Sequence, residues 1–110
     1  MTEAGVTEAE LVAELGQTRE ALFAEFDRTP IGHHSPALER LLLKFRGAPV
    51  PGKYVLLVLE PHRRWMLATL TGRRGDPVRP IDNRVFTDLL EAERAVFRLR
   101  WQALVGGPAA

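Results

Sequence analysis

Three histidines, His33, His34 and His62, are the side chains of this sequence best suited to hold a metal ion or move a proton near neutral pH, and there is no cysteine to join them. His33 and His34 are adjacent, and neighbouring residues of an extended chain point to opposite sides, so adjacency does not imply a shared ligand. Both read as loop residues, one of them hydrogen-bonding near a helix cap at Ser35. Ser35 lacks the strand, tight turn and flanking glycines that expose a nucleophilic serine, and its position before Pro36 is explained by capping. Glu60 and Asp76 suit acid or base work by residue type alone; each is better accounted for by turn contacts or pairing with arginines. Gly72-Arg73-Arg74-Gly75 combines glycine with positive charge but lacks the spacing of a phosphate cradle. The expected catalytic set is therefore none, the metal set is none, and the chain is not expected to be catalytic alone.

Charge is the stronger signal. The net charge of +1 conceals seven acids and two bases in residues 1–30 (−5), three acids and nine bases in 31–80 (+6), and four of each in 81–110. An acidic start could fold over a basic middle and neutralise it. The middle could instead face phosphate or an acidic protein. Arg63, Arg64, Arg73 and Arg74, set in two loops of a small sheet with Trp65 nearby, are the residues a nucleic-acid-binding module would use.

The elements that carry these residues follow from local signals. Thr7 and Glu10 have capping-box spacing, and Leu11, Val12, Leu15, Leu22, Phe23 and Phe26 form one stripe. This predicts a helix of about twenty residues, weakened at Gly16 and ended by Thr29-Pro30. Ser35-Pro36 starts a second helix that runs to about Arg46 and exits at Gly47. Tyr54-Val55-Leu56-Leu57-Val58-Leu59 is apolar on both alternating sets, the pattern of a strand covered on two faces. Trp65 to Leu70 is its antiparallel return. Arg84-Val85-Phe86 forms a short third strand limited by Pro80, and Thr87 or Asp88 caps a last helix reaching about Val105. The fold class is α+β: two N-terminal helices, a three-stranded antiparallel sheet made of a hairpin plus a short third strand, and a long C-terminal helix.

At 110 residues and 45% hydrophobic content the chain fits a single domain, 1–110, with 1–6 and 106–110 mobile. No apolar run approaches the roughly 20 residues of a membrane helix, the start lacks the pattern of a signal peptide, and the absence of cysteine suits the cytoplasm.

The last helix is apolar on two sides. Leu89, Ala92, Val96, Leu99 and Ala103 form the stripe expected to meet the sheet. Leu90, Phe97, Trp101 and Leu104 form another, which either the N-terminal helices or another subunit must cover. These four are the candidate partner-binding residues, with Leu90, Phe97 and Trp101 as the anchors.

From His34 onward the sequence resembles the small (alpha) subunit of bacterial N,N-dimethylformamidase and its short relatives. The resemblance is carried by His34-Ser35-Pro36 with Leu38 and Arg40-Leu41, by Phe45-Arg46 and Gly52-Lys53-Tyr54, by Trp65 with Leu67-Ala68-Thr69-Leu70, and by Phe86-Thr87 leading to Glu91-Ala92 and Ala95-Val96-Phe97. It covers the region 34–105. It implies a non-catalytic small subunit that packs on and stabilises a larger amidohydrolase-type chain in a cytoplasmic hetero-oligomer, with amide C–N hydrolysis done by the large chain. It implies no cofactor in this chain; a metal, iron the candidate, belongs to the partner subunit. The alternative is the nucleic-acid-binding module on the arginine loops.

Overall fold

The structure, a computed structural model, describes residues 7–105, so the mobility expected for 1–6 and 106–110 lies outside the described residues. The chain divides into two compact units, one formed by the residues up to Gly47 together with those from Trp101, the other by Ala48–Arg100.

The first unit begins with the capping box: the Thr7 N–H donates to Glu10 Oε1 at 3.0 Å and the Glu10 N–H to Thr7 Oγ1 at 3.1 Å. It opens α1 (Glu8–Leu15). The expected twenty-residue helix is in fact two. Gly16 takes a left-handed conformation, φ 74°, and its N–H caps the Val12 carbonyl. Thr18 then starts α2 (Arg19–Arg28) by accepting from the Ala21 N–H at 3.1 Å. A residue without Cβ followed by a strong N-cap makes a break cheaper than a straight helix. Helix α3 (Pro36–Arg46) starts at Ser35 and stops at Gly47 as predicted. Leu11, Leu15, Leu22, Phe26, Leu38 and Leu41 are buried. Arg40 donates to the Leu15 carbonyl at 3.2 Å, satisfying an orphan acceptor at the end of α1, and Lys44 meets Glu14 at 2.8 Å beside it.

The second unit is an antiparallel sheet of β1 (Tyr54–Glu60), β2 (Arg64–Thr69) and β3 (Arg79–Phe86) in the order β1-β2-β3. Helix α4 (Leu89–Leu104) follows, entered through Asp88, whose Oδ1 accepts from the Leu90 N–H at 3.0 Å. Its residues belong to this unit as far as Arg100 and to the first from Trp101. Leu89, Ala92, Ala95, Val96 and Leu99 pack with Tyr54, Leu56, Trp65, Leu67 and Phe86 to form the core. The third strand is longer than expected because Pro80 lies within it, opposite Ala68. An edge strand tolerates a residue that cannot donate to a ladder, whereas a central one does not.

Two turns fix the ends of the sheet. The β1–β2 connection is tight, with the Arg63 N–H donating to the Glu60 carbonyl at 2.9 Å and His62 at φ 66°. At the other end Gly72 has φ 84°, and a Cβ placed on it would stand 2.6 Å from Pro51 Cγ. Only glycine lets the β2–β3 loop lie this close to the segment leading into β1.

Candidate partner-binding surface

The histidines do structural work or stand apart. His34 Nε2 lies 2.8 Å from the Thr29 carbonyl, so that nitrogen carries the proton, and the ring stacks on Phe26 with centroids 6.2 Å apart. His33 and His62 are exposed. Among the described residues no three of His, Asp and Glu gather where they could hold a metal ion.

Ser35 is a cap with a second partner. Its hydroxyl accepts from the Leu38 N–H at 3.2 Å and donates to Glu25 Oε1 at 2.7 Å, while its own N–H donates to Glu25 Oε2 at 2.6 Å. Burial pushes the Glu25 carboxyl upward, but the two hydrogen bonds from Ser35, helped by His34 and Arg28, hold it below the usual range. The sequence offered the serine; Glu25, ten residues earlier and off the apolar stripe, gave no sign of its role.

Glu60 lies 3.3 Å from Arg64 and 3.9 Å from Arg63, as expected for a turn carboxylate among arginines. Asp76 pairs with no arginine; it accepts from the Thr71 hydroxyl at 3.1 Å. The Arg73 N–H donates to Thr71 Oγ1 and the Asp76 N–H to the Arg73 carbonyl, each at 3.1 Å, so the loop bearing Arg73 and Arg74 is internally bonded. Both arginines are exposed, and among the described residues neither they nor Arg79 has a carboxylate within ion-pair distance. Arg84 is spent on Phe86, its guanidinium carbon 4.3 Å from the ring centroid.

The second stripe of α4 is divided. Phe97 and Trp101 are each only 2% exposed, and Trp101 meets Phe23 edge-on at 5.4 Å. Leu104 is half-buried and Leu90 is 38% exposed.

Apolar side chains reach solvent on the sheet at Val58, Leu59, Ile81 and Val85, and elsewhere at Ile31, Leu43, Val50 and Leu90. Strand alternation puts Leu57, Met66 and Val85 in one cross-strand row and Val55, Ala68 and Pro80 in the next, on the face opposite the Leu56–Leu67 pair that meets α4. The second unit has one helix, and it covers one face. Val85 is 45% exposed, Val55, Leu57 and Met66 are half-buried, and Ala68 is shielded. Of the two-faced cover expected for β1, one face packs with α4; on the other, Val55 and Leu57 are half-buried, as Tyr54 and Leu56 are. The signal was present in the sequence, as a doubly apolar strand with a single following helix, but its outcome depended on tertiary packing.

Comparison with known proteins returns no significant match to any curated protein. A family model described as N,N-dimethylformamidase alpha subunit matches residues 6–108, a span that crosses both units.

Proposed function

Since the chain belongs to the N,N-dimethylformamidase alpha-subunit family, we propose that it acts as an accessory, non-catalytic small subunit, packing on a larger amidohydrolase-type chain and stabilising it in a cytoplasmic bacterial hetero-oligomer. The observation that carries this reading is the extent of the match, which includes the helical unit and the sheet unit alike. In this reading amide C–N hydrolysis belongs to the large chain, as does the metal, iron the candidate, which there would polarise the amide carbonyl or activate water. This chain supplies surface. Its side chains make caps, turns and core, and its exposed charged loops are available for assembly.

Co-expression with a dimethylformamidase-type large chain and purification through a tag on the small chain tests the proposal. A complex of fixed stoichiometry is expected that hydrolyses formamides, with the small chain alone inactive. The accessory role is refuted if the large chain keeps its full activity and thermal stability when the small chain is left out, or if the small chain alone hydrolyses the amide.

A further inference from the structure

We infer that the subunit docks through the basic end of its sheet, where the β2–β3 loop presents Arg73 and Arg74, onto a carboxylate-rich segment of the larger chain. This rests on the reading of the chain as one subunit of a larger assembly, and it names the surface and the chemistry of what it meets.

Within residues 48–100 ten bases stand against six acids, a net of +4, and most of that excess gathers at one end of the sheet. There Tyr54, Thr69 and Arg79 form a cross-strand row, and Lys53 lies just beyond it, its carbonyl accepting from the Leu70 N–H. The β2–β3 loop adds Arg73 and Arg74. Four cations thus share this end with one acid, Asp76, whose carboxylate accepts from the Thr71 hydroxyl. The other acids of the unit are engaged elsewhere: Glu60 with Arg63 and Arg64 at the opposite end, Asp82 with the Arg84 N–H, Asp88 with the Leu90 N–H, Glu91 with Arg94, and Glu93 with the charge of Arg100. The backbone of the loop is shaped before any partner arrives. The Asp76 N–H closes a turn onto the Arg73 carbonyl with Gly75 at φ 89°, and Gly72 is seated against Pro51. Fixing the backbone that carries two guanidinium groups lowers the ordering cost of binding, and each fork can take a carboxylate through two parallel N–H donors.

Two other anions are disfavoured by the same residues. A phosphate cradle draws on main-chain N–H groups, and here the Arg73 N–H is spent on Thr71 Oγ1 and the Asp76 N–H on the Arg73 carbonyl. Single-stranded nucleic acid relies on exposed aromatic rings on which its bases stack. Trp65, Phe86 and Phe97 are buried, and Tyr54 packs against the core formed with α4. A set of side-chain cations with neither an amide cradle nor a stacking platform suits carboxylates spread along a protein segment.

The test compares variants in complex with the co-expressed large chain. Arg73→Glu combined with Arg74→Glu is expected to weaken the complex about tenfold or more and to flatten its dependence on sodium chloride, which in the wild type lowers affinity as it rises. Arg63→Glu combined with Arg64→Glu, the same change of charge at the Glu60 end, is expected to leave affinity within about twofold. All four arginines are exposed, and circular dichroism with thermal melts establishes that each variant is folded. Wild-type affinity after the Arg73–Arg74 reversal overturns the inference. An equal loss from both reversals overturns it too, since net charge and not this loop is then what the partner reads. So does a melt of the isolated reversed chain that falls at low salt and recovers at high salt, because the arginines then answer acids of their own chain. Salt-steep binding of DNA or RNA oligonucleotides, or binding of inorganic phosphate, that the reversal abolishes overturns it in favour of a phosphate ligand. A wild-type chain that binds no large chain removes the subunit reading and this inference with it, a result distinct from a complex that ignores the reversal.

Discussion

The Glu25 carboxylate grips Ser35 with both oxygens, accepting from its backbone N–H at 2.6 Å and its hydroxyl at 2.7 Å. An acid from α2 thereby stands at the N-terminus of α3, where unpaired N–H groups and the helix dipole favour negative charge. The serine passes the arrangement on by accepting from the Leu38 N–H. Glu25 thus fixes how the chain turns from one helix into the next.

Replacing Glu25 with Gln is expected to cost about 2 kcal/mol at neutral pH, the scale of hydrogen bonds to a charged group. Because the folded-state carboxyl is held below its ordinary value, its stabilisation is complete above the unfolded value and lost as pH falls through the folded one. Denaturant unfolding of wild type and variant should therefore differ at pH 7 and converge in acid. A difference that persists undiminished at low pH would contradict the linkage.

Glu93 carries the opposite sign. It is half-buried on α4, and burial drives its carboxyl upward more than Arg100 draws it down. A folded-state value above the unfolded one means stability that is present at low pH and declines as pH rises through the folded value. Glu93→Gln should unfold at higher denaturant than wild type at pH 7, with the advantage vanishing in acid. Equal midpoints at every pH would show that the carboxylate is already fully compensated.

Two glycines in one loop separate steric from conformational cost. Gly75 has φ 89° with open space around it, so Gly75→Ala should cost about 1 kcal/mol for the left-handed backbone alone. Gly72→Ala adds a collision with Pro51 and should cost about 2 kcal/mol or more. Thermal melts that rank the two substitutions the other way would mean the loop relaxes away from Pro51.

Trp101→Ala should destabilise the chain by about 3–5 kcal/mol, the usual cost of removing a large buried aromatic. Collisional quenchers should reach little of the tryptophan fluorescence, since Trp65 and Trp101 are both buried. Strong quenching in the isolated chain that Trp65→Phe leaves in place would show that Trp101 is reachable from solvent.

What could be read from the sequence was what is decided locally. Thr7 with Glu10, Ser35 with Pro36, Asp88 and Gly47 mark boundaries through bonds spanning only a few residues, and the structure puts ends at each of them. Gly16 and Thr18 were equally local, but the apolar stripe continues in phase across them, and periodicity hid the break. Pro80 suggested a limit that holds for a central strand and not for an edge. The fate of Phe97 and Trp101 was not legible, because a helical wheel shows that a face must be covered without showing by what.

The membership of Trp101 in the helical unit governs the order in which the protein can be completed as it is made. Phe23 leaves the ribosome long before Trp101, and the two rings meet edge-on only in the finished chain. The N-terminal helices are therefore synthesised first and closed last. Translation that stalls before Trp101 yields a chain whose earliest-made unit lacks its final aromatic.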